Sequence, residues 1–204
     1  TCAVTTSGAV KCWGSNGYGQ LGDGTTTPRF APVQVQGLAS GVTAVAAGYY
    51  HTCAVALGGA VVCWGSGGNG ELGDGRKTNS TTLVTVQGLG AGVQNIAAGA
   101  NHTCAVTMSG AAKCWGSNGY GQLGDGTTTQ RNAPVVVQGL DSGVQSVASY
   151  YLQTCAVTSG GALKCWGYNG YGQLGDGTAT NRATPVQVQG LTSGVTAVAA
   201  GFGH

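Results

Sequence analysis

Cys2, Cys53, Cys104 and Cys155 stand 51 residues apart, and so do Trp13, Trp64, Trp115 and Trp166. Four such periods account for all 204 residues. A strict period of this size fixes the architecture before any other signal is read: one array of four small units, each too small to bury its own faces and therefore leaning on its neighbours. The expected organisation is a single array over 1–204. Its blades fall at 42–92, 93–143 and 144–194, with a further blade completed by 195–204 together with 1–41.

Within a unit the apolar segments are short and bounded by glycine. From Val42 they read GVTAVAAG, HTCAVA, AVVCWG and, after a long turn and a Thr/Asn/Ser stretch, TLVTVQG. The third unit repeats them as GVQNIAAG, HTCAVT, AAKCWG and PVVVQG. Segments this short between glycines predict strands rather than helices. Four strands in about 50 residues is what a propeller blade requires. Glycine makes up 40 residues without a G-X-Y period, which points to many tight turns and excludes a collagen-like chain.

The hairpin between the second and third strands has one natural register. If Cys2 lies opposite Cys12, then Ala3 faces Lys11, Val4 faces Val10 and Thr5 faces Ala9, leaving the loop Thr6-Ser7-Gly8. A three-residue loop of this kind ends in a left-handed residue, normally glycine. The other units agree with Leu57-Gly58-Gly59, Met108-Ser109-Gly110 and Ser159-Gly160-Gly161. A hydrogen-bonded Thr5–Ala9 pair then makes Cys2–Cys12 a non-hydrogen-bonded pair, close enough for a disulfide. The predicted bridges are Cys2–Cys12, Cys53–Cys63, Cys104–Cys114 and Cys155–Cys165. This reading is preferred to reduced core thiols and to zinc, for which the spacing is wrong. It predicts an oxidising compartment: a secreted or extracellular protein, at a cell surface or in a periplasm.

These residues resemble the regulator-of-chromosome-condensation repeat family. The resemblance is carried by VTAVAAGYYHTCAV at 42–55, by KCWGSNGYGQLGDG at 11–24 and 113–126, and by KCWGYNGYGQLGDG at 164–177. It implies a β-propeller, usually of seven blades, and it covers the whole chain. The paired cysteines look like an extracellular bacterial variant, and nothing in the loops suggests the nuclear activity that names the family. Joined end to start, the chain reads AAGFGHTCAV, the motif found at 46–55. This leaves closure within one chain, a ring or filament built from several copies, or further blades outside this sequence. A truncated or multi-chain assembly is expected over a closed four-blade monomer. The absence of an initiator Met and of a signal peptide fits a processed or excised piece of something longer.

Only 7% of the residues are charged and the net charge is +2. There is no basic run for nucleic acid and no apolar run of the ~20 residues a membrane helix needs. So uncharged a surface repels its own copies weakly. Asp23, Asp74, Asp125 and Asp176 in Leu-Gly-Asp-Gly read as turn residues in preference to calcium ligands. His51, His102 and His204 have no recurring acid or nucleophile beside them and read as structural. The four tryptophans read as blade packing, and Arg29, Arg76, Lys77, Arg131 and Arg182 as a solvated rim. No catalytic residues, metal or cofactor are expected. Binding specificity is sought where the units differ: Tyr49, Tyr50, Asn101, Tyr150, Tyr151 and Phe202 at one turn, and Tyr18, Tyr120 and Tyr171 at another. The function expected is an extracellular binding module for a protein or glycan, without catalysis. The alternative is a structural subunit of a self-assembling fibre or multi-chain propeller, a homo-oligomer or filament.

Overall fold

A computed structural model describes residues 1–204. It holds fifteen strands in four antiparallel sheets, each a simple meander. The first sheet has three strands, β1 (Cys2–Val4), β2 (Val10–Gly14) and β3 (Arg29–Gln34). The second comprises β4 (Val42–Ala47), β5 (His51–Ala56), β6 (Val61–Gly65) and β7 (Ser80–Thr85). The third comprises β8 (Val93–Ala98), β9 (His102–Thr107), β10 (Ala112–Gly116) and β11 (Arg131–Val136). The fourth comprises β12 (Val144–Tyr150), β13 (Gln153–Thr158), β14 (Leu163–Gly167) and β15 (Arg182–Gln187). No helix is long and apolar enough to cross a membrane.

The hairpin register is the one counted from the sequence. Cys2 pairs with Cys12, Ala3 with Lys11 and Val4 with Val10, and the other three blades repeat it. Gly8, Gly59, Gly110 and Gly161 close the loops with φ of 77°, 80°, 81° and 75°, the left-handed conformation such loops require. All four predicted disulfides are formed across opposed strands, with Cα separations of 4.0–4.1 Å, and no cysteine is free. The closing pair differs in detail. Thr5 N–H donates to the Ala9 carbonyl at 2.8 Å, but Ala9 N–H turns to Thr5 Oγ1 at 3.0 Å.

The fourth strand of each blade starts earlier than its apolar run suggests. β7 begins at Ser80 and stops at Thr85, because Gln87 N–H leaves the ladder to donate to the Gly73 carbonyl. A register shift at Cys63/Gly65, repeated at the same place in every blade, accommodates the change.

The core lies between sheets. Cys104, Val106 and Cys114 of the third blade pack with Val147, Ala156 and Trp166 of the fourth. Ala105 and Trp115, on the opposite face of the third blade, pack with Cys53, Val55 and Cys63 of the second. The central strands β5, β9 and β13 are therefore covered on both faces, which is why their sequence shows no polar alternation.

One junction recurs at each of these interfaces. The Gln20 carbonyl accepts Trp64 Nε1–H and the Thr52 hydroxyl, both at 2.9 Å. The Glu71 carbonyl accepts the same pair from Trp115 and Thr103 at 2.9 and 3.0 Å, and the Gln122 carbonyl from Trp166 and Thr154 at 2.9 and 3.1 Å. Each indole packs its Nε1 and Cδ1 against a glycine, Gly22, Gly73 or Gly124, where a Cβ would collide with it.

The blade expected to combine 195–204 with 1–41 is not assembled within one chain. β1 to β3 form a sheet without a first strand, and 195–204 carries no strand. Each disulfide closes a short hairpin, which restricts the unfolded chain by about 2–3 kcal/mol. Replacing Cys104 and Cys114 together by Ala should lower unfolding stability by about that amount in guanidinium titration while the far-UV spectrum stays that of a sheet protein. An unchanged midpoint would show that the bridge does not constrain the unfolded state.

Candidate binding face

Strands β4, β8 and β12 are the innermost of their blades, β8 lying against both of the others. The turns that follow them meet at one end of the array. Tyr49 N–H donates to the Ala100 carbonyl at 3.3 Å, and Ala100 N–H to the Tyr151 carbonyl at 2.8 Å. The side chains of these turns are the ones that differ from unit to unit.

On that end the aromatic rings join into one band. Tyr18 lies 4.9 Å from Tyr50 between ring centroids, Tyr50 6.3 Å from Tyr49, and Tyr49 6.4 and 5.9 Å from Tyr150 and Tyr151. Tyr151 continues to Phe202 at 4.5 Å. Tyr120, Tyr168 and Tyr171 form a second run, with separations of 5.2 and 6.2 Å. The two runs face each other across a cavity of about 150 Å³ lined by Tyr120, Tyr151, Leu152, Tyr168, Tyr171 and Phe202. A second hollow of about 160 Å³ opens beside Tyr49, Tyr150 and Tyr151, floored by Gly48, Ala98 and Gly99. No lining residue of either hollow is charged. Burial, with the neighbouring phenols, raises the Tyr49 pKa above its ordinary value, so its hydroxyl remains a neutral donor.

Eight of the nine candidate positions thus fall in this band. Asn101 does not: it is half-buried, and its carbonyl accepts the Ser117 N–H at 2.8 Å. Tyr168 was not singled out from the sequence. The signal was present, since Tyr168 stands where the other units have Ser15, Ser66 and Ser117.

The fourth unit departs from the repeat at linked positions. His51 and His102 are buried, and each ring occupies the space that a Cβ on Gly48 or Gly99 would need. The fourth unit replaces this Gly and His together, by Tyr150 and Gln153. Losing the imidazole makes room for a side chain at 150, and that side chain is another tyrosine of the band. Next to it, Tyr151 has φ of 46°, the one residue other than glycine with positive φ. It holds the first position of a two-residue turn, where glycine is the usual occupant.

The histidines serve the blade junctions. His51 Nε2 lies 2.9 Å from Thr103 Oγ1, and His102 Nε2 lies 2.9 Å from Thr154 Oγ1. Each threonine gives its own hydrogen to the Glu71 or Gln122 carbonyl, so it accepts from the imidazole, which must carry its proton on Nε2. Burial lowers the pKa of His51 to about 4; burial, with His51 adding to it, lowers that of His102 to about 3.

The rim cations are not merely solvated. Arg29 Nε donates to Asp23 Oδ2 at 2.7 Å, and Asp23 Oδ1 accepts from Thr25 N–H, the Thr25 hydroxyl and Asn16 Nδ2. Arg131–Asp125 and Arg182–Asp176 repeat the arrangement. Arg76 is 4.0 Å from Asp74 and largely exposed. The Thr178 hydroxyl, opposed by burial and reinforced by Arg182, holds the Asp176 pKa down to about 2. These carboxylates close the outer loops. No three His, Cys, Asp or Glu side chains converge as a metal site would need.

With the fold and this face described, comparison with known proteins assigns the family. The pattern described as "Regulator of chromosome condensation (RCC1) repeat" matches residues 7–55, 58–106, 110–157 and 161–204. The chain belongs to the RCC1 repeat family. This RCC1-repeat chain is 37% identical to the ultraviolet-B receptor UVR8 of Arabidopsis thaliana, over 92% of its own length and 43% of the receptor. It is 37% identical to the human E3 ubiquitin-protein ligase HERC2, over 100% of its own length and 4% of that protein. It spans less than half the length of these relatives. Among solved structures, human WBSCR16 superposes with a TM-score of 0.81 at 24% identity, covering 92% of this chain and 50% of that one. Yeast RCC1 (Prp20), solved bound to Kap60, superposes with a TM-score of 0.78 at 20% identity, covering 92% and 46%.

Two outcomes follow for this RCC1-repeat chain. A histidine whose folded pKa lies below the unfolded 6.5 contributes stability above pH 6.5 that is lost as pH falls toward the folded value. Unfolding free energy should therefore decline between pH 6.5 and 4, by about 3 kcal/mol for His51 alone. The depressed carboxylates add their own loss only below about pH 4. His51→Gln with His102→Gln, the residue found at 153, should flatten the upper window and leave the lower one; a slope unchanged by these substitutions would contradict the assignment. Separately, Gln153→His should be destabilising while Tyr150 is present and should recover in the Tyr150→Gly double variant. Additive effects in this cycle would show that the two positions do not compete for space.

Proposed function

We propose that this chain is a non-catalytic protein-binding module whose docking surface is the aromatic band, and that it takes an uncharged, extended peptide segment of its partner. One observation carries this reading. The fourth unit breaks the repeat at Tyr150, Gln153 and Tyr168, and these changes add two tyrosine rings to a single face, beside a strained backbone at Tyr151. Departures from local rules gather where function is placed. Rings tilted against one another at the separations given above offer both faces and edges, with hydroxyls at their tips. Such surfaces bury much area with little rotamer entropy to lose. The absence of charge in both hollows favours an uncharged ligand and an affinity insensitive to salt.

Two further points belong to the same reading. The groups with strongly shifted pKa are histidines sealed at blade junctions and aspartates tied to outer-loop partners, which supports binding over catalysis. A disulfide in every blade supports a life in an oxidising compartment, outside the cytoplasm.

The test is selection from a displayed peptide library on the intact chain, with a glycan array run in parallel. Peptides with few charges should be selected. Their affinity should fall at least about thirtyfold in a Tyr49→Ala/Tyr151→Ala variant that keeps its disulfides and its spectrum, as expected when aromatic anchors are removed. Binding should be little changed between low and high salt. Selected peptides that bind the double variant undiminished would contradict the proposal, and glycan capture without peptide capture would replace it.

A further inference from the structure

The outermost strand of a blade ends its sheet, so β3, β7, β11 and β15 each leave one side of their backbone without a neighbouring strand. Three of them carry features that keep such an edge from pairing further, an arginine at the first residue and a proline at the fourth. These are Arg29 and Pro32, Arg131 and Pro134, and Arg182 and Pro185. β7 carries neither. It reads Ser80-Thr81-Thr82-Leu83-Val84-Thr85, uncharged and rich in strand-forming residues. The second blade is packed between the first and the third on both faces, so its outer edge is the same whatever adjoins the array.

Comparison of the blades shows which backbone groups of β7 are spare. Cys63 faces Val84 and Gly65 faces Ser80, as Cys12 faces Val33 and Gly14 faces Arg29, and the other two blades repeat this register. Proline has no N–H, so three blades build this ladder without a donor at the fourth residue. Leu83 brings an N–H that the ladder does not need. In the third and fourth blades the carbonyl two residues earlier, of Asn132 or Ala183, accepts Gly75 or Gly126 N–H of the preceding blade at 2.9 and 3.0 Å. Gly24 N–H makes no such bond to Thr81, whose carbonyl stays free. Between these two groups the Thr82 carbonyl is taken by the Ser80 hydroxyl at 2.7 Å. The loop leading into β7 also holds two cations without a close carboxylate. Arg76 is 4.0 Å from Asp74 with its side chain 75% exposed, and Lys77 has no ion pair, whereas Arg29, Arg131 and Arg182 lie 2.7 or 2.8 Å from theirs.

We propose that β7 accepts an extended segment of a partner protein as a fifth, antiparallel strand of the second blade, with carboxylates at the C-terminal end of that segment. Antiparallel pairing continues the rest of the sheet and is the more stable of the two ladders. It sets the end of the added strand beside the start of β7, on the side of Arg76 and Lys77. In such a contact main-chain bonds supply the affinity, and the charges at one end supply the direction. The uncharged middle of β7 favours β-branched residues opposite it. This surface shares no residue with the aromatic band, so the two stand or fall separately.

Two labelled peptides test this on the disulfide-intact chain, one of alternating Thr and Val ending in a pair of Glu, the other with the Glu pair first. The first should bind, weaken as salt is raised, and slow amide exchange at Leu83. The second should bind at least about tenfold more weakly. Leu83→Pro, the residue at this place in the other three blades, should weaken the first peptide at least about tenfold while disulfides and spectrum stay unchanged. Thr82→Lys, at an exposed residue, should do the same without touching the packing of Leu83. Arg76→Glu with Lys77→Glu should remove the preference for the first peptide. The Tyr49→Ala/Tyr151→Ala variant should bind it as the wild type does. No binding of the first peptide at about millimolar concentration, or undiminished binding to folded Leu83→Pro and Thr82→Lys chains, would overturn the proposal. Equal binding of the two peptides would overturn the antiparallel direction. Loss of binding in the tyrosine variant would move the peptide to the aromatic band. A two-chain mass for the wild type that Leu83→Pro abolishes would assign the edge to a second copy instead.

Discussion

A single backbone carbonyl at the outer turn of each blade organises this molecule. At Gln20, Glu71 and Gln122 it accepts both the indole N–H and the threonine hydroxyl of the following blade. A buried carbonyl left unpaired costs about 1–3 kcal/mol, so each blade is incomplete until the next arrives. The tryptophan brings its apolar area into the same contact, and the glycine beneath it lets the ring approach. At Thr103 and Thr154 the hydroxyl in turn accepts from the preceding blade's histidine, so each pair of adjacent sheets is tied twice through a few polar atoms. Disulfides stiffen the hairpin that carries the threonine and the tryptophan, keeping both donors at the spacing the carbonyl requires.

Much of this was legible in the sequence, for reasons that can be named. Turn chemistry and the 51-residue period together define the hairpin: Gly8 and its counterparts fix the loop, the loop fixes the register, and the register brings the cysteines together. Those are local relations. The junctions were not legible, because they join residues such as Gln20 and Trp64 that lie in different blades, and a recurring Thr or a backbone carbonyl at Gln or Glu carries no sign of whom it bonds. The ion pairs of the outer loops could have been found. Asp23 and Arg29, Asp125 and Arg131, and Asp176 and Arg182 share one spacing, which the second unit breaks by placing Arg76 close to Asp74.

The aromatic face shows the same division. Variable turn positions pointed to tyrosine after tyrosine, but composition alone could not show that Tyr18 of one blade reaches Tyr50 of the next. Nor could it show that Tyr150 depends on Gln153. That dependence is steric: where a histidine fills the space beside the turn, only glycine fits opposite, and where glutamine replaces it a ring can be added. The fourth unit thereby gives up the histidine of the common type and gains a tyrosine ring in the aromatic band. The exchange leaves the junctions between the described blades intact, because the histidine that meets Thr154 at the Gln122 carbonyl is His102.

The dependence of the fold on the indole–carbonyl contact is open to direct measurement. Hydrogen exchange of the four indole N–H groups can be followed by NMR in the ¹⁵N-labelled chain. Protection of Trp64, Trp115 and Trp166 by orders of magnitude over free indole is the result this account predicts. Exchange of those three at the rate of the free side chain would contradict it.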